Sequence, residues 1–376
     1  MKNKKRWMRN LVAYLKTVDY WMLLLCGVCS GISMLCQYGI YRAGYTATSR
    51  PFLMQVVMSV GGLAAAFIVS NIDYHFMCKL WKAHLPLSYL LVLLTFFIGI
   101  TPEGTDDRAW LDFGFTTLQP SELLKLSFVL TFAMHLSYVK DDIKHVRTLI
   151  PLCIHGGIPI LTIVLQGDLG SAIVFLMIFL VMIYAAGLPS YYILGGAGVL
   201  AVGVPIFWHF FLPDYLKSRF AIAFHPELDP LGDGYQQYLG KIAPGSGQLT
   251  GRGLFNKNMY SVPECYNDFV FSFIGQVFGF VGCIAVLLLL CSICFKMLIT
   301  GIKARDPMGC YICIGVFAIF FTQIVINILM VMCLMPVIGI TLPFFSAGGT
   351  SILVCYIAIG MVMSVFRYSK NSLLYH

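Results

Sequence analysis

Asp268 is the residue on which chemistry is most readily built. It closes the one long polar segment between hydrophobic runs, 213–268, in the stretch Val262-Pro263-Glu264-Cys265-Tyr266-Asn267-Asp268-Phe269. Beyond it the chain is apolar for about a helix length. A carboxylate placed where water gives way to hydrocarbon is costly to keep and by default marks function. That placement predicts a raised proton affinity, which suits a general base working near neutral pH.

Other residues could assist it. Gly245-Ser246-Gly247 and Gly251-Arg252-Gly253 lie in the same segment, and glycine at this density leaves backbone amides unshielded. Those amides, with Lys241 and Arg252, suit an anion such as pyrophosphate. Glu122 and Lys125, three apart in Pro120-Ser121-Glu122-Leu123-Leu124-Lys125, share one face of a helix that enters the membrane. They either lock a helix end as a pair or line a cavity for a charged headgroup. Asp168, in Gln166-Gly167-Asp168-Leu169-Gly170, is placed to cap a helix starting at Leu169. The stretch Met335 to Ser351 is apolar yet full of helix breakers, which at membrane depth predicts backbone lining a cavity. Ser346, Thr350 and Ser351 offer hydroxyls there beside Gly348-Gly349. Most of the 13 cysteines lie in or near apolar runs, which predicts packing rather than a zinc or redox site. Cys265 alone lies in the 213–268 segment, so no disulfide can form within it.

The elements that must position these residues are membrane helices. With 59% hydrophobic and 11% charged residues, the 376-residue chain is too apolar for a soluble domain. The fold class is an all-α polytopic membrane protein of about ten transmembrane helices, at 20–41, 52–72, 85–100, 123–139, 149–165, 169–188, 191–212, 269–294, 308–335 and 350–366. The break at Gln166-Gly167-Asp168 leaves open whether 149–188 is two helices or one bent one. A basic N-terminus (1–19), a transmembrane domain (20–366) with its large extracytoplasmic loop (213–268) between helices 7 and 8, and a short tail (367–376) complete the organisation. Ten crossings put sixteen lysines and arginines on the side of the N-terminus and eight on the other, with Lys125 inside a span. By the positive-inside rule both termini are cytoplasmic and the Asp268 loop lies outside. The net charge of +8 is therefore topological. With no basic face beyond the inner leaflet, nucleic-acid binding is excluded.

Taken together these segments resemble the SEDS family of shape, elongation, division and sporulation polymerases, which includes RodA, FtsW and SpoVE. The resemblance rests on Gln119-Pro120-Ser121-Glu122-Leu123-Leu124-Lys125, Asp168-Leu169-Gly170, Asp229-Pro230-Leu231-Gly232-Asp233-Gly234-Tyr235-Gln236, Gly245-Ser246-Gly247, Gly251-Arg252-Gly253, Pro263-Glu264, Asp268-Phe269 and Pro343-Phe344-Phe345-Ser346-Ala347-Gly348-Gly349. Asp73-Tyr74, Lys241-Ile242-Ala243 and Gly339-Ile340 lean toward the RodA branch. The resemblance implies a peptidoglycan glycosyltransferase of the bacterial cytoplasmic membrane that polymerises lipid II, with Asp268 as the catalytic residue. It implies a class B penicillin-binding protein as transpeptidase partner. Glu122, Lys125, Arg219, Lys241, Gly245, Ser246, Gly247, Arg252, Glu264, Ser346, Gly348 and Gly349 are the candidate substrate-binding residues. The sequence departs from the family pattern in places. Tyr266-Asn267 stand for a common His-Thr, Cys265 for a basic or small residue, and Gln276 and Val277 for two acids.

On this reading Asp268 takes the proton of an acceptor hydroxyl. The leaving group is a lipid pyrophosphate, so no second carboxylic acid is needed, unlike in glycosidases. Arg219, Lys241, Arg252 or a divalent cation (Mg or Mn) would neutralise the departing charge. Two rivals stand beside it. A lipid II flippase would move label across vesicles without polymer, though no matched broken helices or internal repeat support a carrier. A non-catalytic scaffold would retain its role in an Asp268 mutant.

Overall fold

Helices form where the apolar runs predict them. The computed structural model describes residues 17–101, 108–114, 117–210, 214–232, 234–256 and 258–373. The basic residues Lys2 to Lys16, the acids Glu103, Asp106 and Asp107, Asp233 and Lys257 lie outside that description, as does the side chain of Arg219. The elements are α1 (Tyr20–Arg42), α2 (Arg50–Asn71), α3 (Tyr74–Lys79), α4 (Trp81–Ile98), the short antiparallel pair β1 (Leu111–Asp112) and β2 (Thr117–Leu118), and α5 (Pro120–Val139). They continue with α6 (Val146–Gln166), α7 (Leu169–Ala185), α8 (Ser190–Phe210), α9 (Asp214–Phe224), α10 (Tyr235–Ser246), α11 (Val270–Ile302), α12 (Pro307–Val331) and α13 (Gly349–Leu373). Among the described residues, eight helices (α1, α2, α4, α5, α6, α11, α12 and α13) are long and apolar enough to cross a membrane, and α7 and α8 add two shorter apolar ones. The protein is an all-helical, multi-pass membrane protein.

Segment 149–188 is two helices. Gly167 (φ 91°) ends α6 in the left-handed conformation, and the Asp168 carboxylate starts α7 by accepting the Ser171 amide at 2.8 Å. The two then fold back on each other, with Gly156 against the ring of Phe179. Elsewhere, too, small residues let helices touch. Gly62 of α2 lies under the Tyr356 ring of α13, Gly360 lies on the Ala66 backbone, and Gly315 of α12 sits between Val129 and Met182. Helices α5, α12 and α13 form the buried centre, and α4 and α6 are peripheral.

Two sequence expectations change. The apolar run 269–294 is not one straight span, because α11 breaks at Gly279 (φ 66°, ψ −164°). The half before the break is buried from Val270 to Val277, whereas Phe280 and Val281 just after it are 60% exposed, as lipid-facing residues are. The glycine-rich stretch around Lys241 is also not all loop, since α10 runs through Pro244 to Ser246. Pro244 and Gly245 fall in its last turn, and the helix ends one residue later, at Ser246.

Candidate active site

The turn that carries Asp268 winds around one carbonyl. The amides of Asn267 (2.9 Å) and Phe269 (3.1 Å) both donate to the Glu264 carbonyl, and Glu264 itself takes a left-handed backbone (φ 55°) that a non-glycine residue rarely adopts. Phe269 is then fully buried against Gly240 of α10, where a Cβ would lie 2.3 Å from the ring. Ser272 ties the start of α11 to the same place by donating to the Gly240 carbonyl at 2.9 Å.

Next, successive carbonyls of this turn are held from three directions. The Tyr266 carbonyl accepts from Gln37 of α1 (2.8 Å) and from the Ala347 amide (2.8 Å). The Asn267 carbonyl accepts from Ser346 Oγ at 2.7 Å. The Asp268 carbonyl accepts from Asn327 Nδ2 of α12 at 2.8 Å, and the same amide group donates to the Ile340 carbonyl, also at 2.8 Å. With its main chain fixed, Asp268 keeps a half-buried carboxylate, and a Cβ on Gly339 would lie 3.8 Å from its Oδ2. Buried side-chain-to-carbonyl bonds of this kind fix a backbone closely, because breaking one strands a polar group.

The Pro343–Gly349 segment is therefore a strut before it is a lining. Ser33 and Gln37 of α1 donate to the Phe345 carbonyl (2.8 and 3.2 Å), and Gln55 of α2 donates to the Phe344 carbonyl (2.9 Å). Ser346 is buried, with its hydroxyl shared between the Asn267 carbonyl and the Leu342 amide. Its role here is to position Asp268.

Glu264 sits beside the same turn. Tyr266 donates its hydroxyl to Glu264 Oε1 at 2.9 Å, and burial raises the Glu264 carboxyl above the usual range despite that bond. Burial likewise pushes the Cys265 thiol up to about 12, so it is an inert packing group.

The glycine-rich stretch departs from the anion cradle its composition suggests. The Gly251 amide donates to Gly247 O (2.8 Å), and the amides of Arg252 and Gly253 donate to Gln276 and Val277 of α11 (both 3.0 Å). In return, Gln248 and Leu249 accept the amides of Phe280 (2.8 Å) and Val281 (3.1 Å). The strand of chain from Gln248 to Gly253 thus replaces the bonds that the Gly279 break removes from α11. Glycine is required for contact: a Cβ on Gly247 would lie 2.0 Å from the Gly275 carbonyl, and one on Gly251, 2.0 Å from Val277 O. Gly245 is exposed, Ser246 donates to Ala243 O (2.6 Å), and Arg252 braces the carbonyls of Ser246 (2.9 Å) and Asn258 (2.7 Å). Lys241, exposed on α10, pairs with Glu227 at 2.8 Å.

Glu122 and Lys125 pair at 2.6 Å inside the bundle, 5% and 0% exposed, beside Cys355 of α13. Of the two readings left open for them, this geometry is the lock on the α5 start. Gln119 just before it donates to Asp168 Oδ2 (2.9 Å).

A cavity of about 460 Å³ opens next to Tyr266, lined also by Tyr45, Thr46, Arg50, Thr117, Ala347 and Gly349, among others. It brings together residues from four distant parts of the sequence. Among the residues expected to bind substrate, it includes only Gly349.

The family model described as cell cycle protein, FtsW/RodA/SpoVE, matches residues 16–371. The chain belongs to that family. Stage V sporulation protein E of Bacillus subtilis is 31% identical over 330 residues, covering 84% of this chain and 87% of its own length. Peptidoglycan glycosyltransferase MrdB of Escherichia coli is 29% identical over 320 residues, covering 83% and 85%. Among solved structures, a chain described under "Structural coordination of polymerization and crosslinking by a peptidoglycan synthase complex" superposes with a TM-score of 0.78 at 26% identity, covering 94% of this chain and 98% of that one. RodA of Thermus thermophilus shares the fold, with a TM-score of 0.67 at 24% identity, covering 93% and 97%.

The places where this chain departs from the FtsW/RodA/SpoVE pattern now have a physical reading. Tyr266 and Asn267 hold the turn through their carbonyls, and Gln276 and Val277 hold the glycine stretch through theirs. A carbonyl is supplied by any residue, so this main-chain clasp does not depend on which side chains stand at these positions. Sequence reasoning missed Gln37, Arg50 and Asn327. Gln37 and Asn327 are amides inside apolar runs, and that isolation was the available signal; Arg50 had none until the chain was folded.

Proposed function

We propose that this chain is a peptidoglycan glycosyltransferase that polymerises lipid II at the outer face of the bacterial cytoplasmic membrane, with Asp268 as general base. Support comes from the names borne by its relatives and from the Asp268 carboxylate carried on a fixed main chain, two residues from the cavity-lining Tyr266. The carboxylate removes the proton of the acceptor sugar's 4-hydroxyl as that oxygen forms its bond to the donor's anomeric carbon. The bond from that carbon to the lipid pyrophosphate breaks, and the pyrophosphate leaves with the electron pair. The proton then passes from Asp268 to water. Among the described residues no group of three or more His, Cys, Asp or Glu could hold a metal ion. A divalent cation, Mg or Mn, would neutralise charge on the diphosphate, and no step above is routed through it.

The charge distribution supports cytoplasmic termini and an outward Asp268 face. The synthase complex among the structural neighbours supports a class B penicillin-binding protein as the transpeptidase partner. The carrying observation is the clasp on Tyr266, Asn267 and Asp268, which fixes the acid's backbone while leaving its carboxylate half-buried. The test is a gel assay with purified lipid II, with and without the transpeptidase. Asp268→Asn, present at normal levels in the membrane, should make no glycan ladder. An unchanged ladder would remove the proposal and favour a scaffold.

A further inference from the structure

We propose that Asp73, His75 and Asp306 form a proton-dependent latch, closed when the His75 ring is an imidazolium, which fastens the start of α12 to the corner between α2 and α3. It lies at the far end of α12 from Asp268, and it stands whether or not the chain is a glycosyltransferase.

Asp73 builds the corner. It caps α3, and its Oδ1 accepts the His75 amide at 2.9 Å while facing His75 Nδ1, also at 2.9 Å. The other ring nitrogen, Nε2, faces Asp306 Oδ2 at 2.7 Å. Asp306 in turn caps α12 by accepting the Gly309 amide at 2.8 Å, and its Oδ2 also accepts the hydroxyl of the buried Tyr74 at 2.9 Å. One imidazole thus bridges the caps of two helices that lie far apart in sequence. Helix α13 closes the cluster: the Arg305 amide donates to Ser369 Oγ at 3.1 Å, and the Tyr368 ring stands edge-on to Tyr74 with centroids 6.2 Å apart. A helix rises about 1.5 Å per residue, so the latch lies about 30 Å along α12 from Asn327, which holds the Asp268 carbonyl. That is about the thickness of a bilayer core, and the orientation proposed above turns the latch toward the cytoplasm.

An ionised carboxylate only accepts hydrogen bonds, so each ring nitrogen that faces one must donate. Imidazolium donates from both nitrogens, whereas a neutral ring turns one lone pair toward a carboxylate oxygen. The neighbours keep their own protonation states. Burial pushes the Asp306 carboxyl up, but the bonds from the Gly309 amide, the Tyr74 hydroxyl and His75 outweigh it and hold the group below the usual carboxylate range. Burial, with Asp306 beside it, raises the Tyr74 hydroxyl well above its usual range, while Arg305 nearby pulls the other way. Burial also pushes the Cys78 thiol, one turn along α3, up to about 12. His75 is thus the group here whose type changes charge near neutral pH. The closed latch binds one proton more than the open one, so raising the pH opens it.

The test is deuterium uptake by the full chain in nanodiscs at about pH 6 and about pH 8.5, with labelling times scaled to the intrinsic exchange rate at each pH. The readout is the first turn of α12, where the Gly309 amide reports the Asp306 cap. In the wild type this turn should open about twofold to fivefold more readily at the higher pH, the range for a partly exposed charged pair. His75→Gln has no proton to lose and should match the open wild type at both values. Asp73→Asn keeps a capping oxygen and offers an amide N–H to a neutral ring, so it should stay closed at both. His145→Gln removes an exposed histidine and should keep the wild-type response. An equal pH response in the wild type and His75→Gln would overturn the latch, as would an unchanged response in Asp73→Asn or a lost one in His145→Gln. A merely structural role predicts that both latch variants loosen the turn, and that outcome also rejects the proposal. Should His75→Gln not fold, Asp73→Asn decides alone.

Discussion

Two polar regions of this molecule flank the start of α11, and they use their backbones in opposite ways. At the Tyr266–Asp268 turn, side chains from α1, α12 and the Pro343–Gly349 segment hold main-chain carbonyls, which fixes the backbone that carries the acid. At Gln248–Gly253, main chain holds main chain across the Gly279 break. Glycine is dense there because two backbones touch, not because an anion is cradled. The difference teaches that glycine density near a carboxylate reports close approach first, and that the partner of the approach must be identified before a ligand is assigned.

The comparison is broken or sharpened by variants on each side. The largest effect is expected from Asp268→Asn, which should lower polymerisation by about 10²–10⁴-fold, the range for a lost general base, with unfolding unchanged. On the glycine side, Gly251→Ala places a Cβ 2.0 Å from Val277 O at a φ of +83°. It should destabilise by on the order of 2–4 kcal/mol, read as a lower thermal midpoint in detergent, while turnover per folded molecule is kept. Full stability with lost turnover would instead return the glycines to substrate binding. Asn327→Leu strands the Asp268 and Ile340 carbonyls, and kcat should fall by about tenfold with little change in KM, since positioning and not binding is lost. The smallest effect concerns Glu264. Its folded carboxyl is raised by burial, so the folded state holds the proton more tightly than the unfolded chain. Stability should therefore fall as pH rises from the unfolded pKa of about 4.3 through the folded value. Glu264→Gln should flatten that slope in melting curves, and a slope of opposite sign would contradict the burial.

Much of this was legible in the sequence because hydrophobicity reports burial directly. The helices and the Asp168 cap follow from period, length and spacing, whereas the spacing of Glu122 and Lys125 left a pair and a cavity lining equally open. The break in α11 did not, because Gly279 sits in an unbroken apolar run and hydropathy is blind to φ. The trio Gly275, Gly279 and Gly282 was the only sign. Helix α10 was obscured by Pro244 and Gly245, poor helix formers that stand in its last turn. The cavity at Arg50 joins residues more than two hundred positions apart, and no local pattern encodes that meeting.

The Gly279 break has a consequence for how the protein sits in its lipid. Only the part of α11 from Phe280 onward presents exposed apolar side chains, while the half-helix below Asp268 is enclosed by neighbours. A thicker or thinner bilayer would then be accommodated by tilting the exposed part, as mismatched helices do. The height of the acid is set by α1, α10 and α12 instead, so the same reacting geometry can be kept as membrane composition changes.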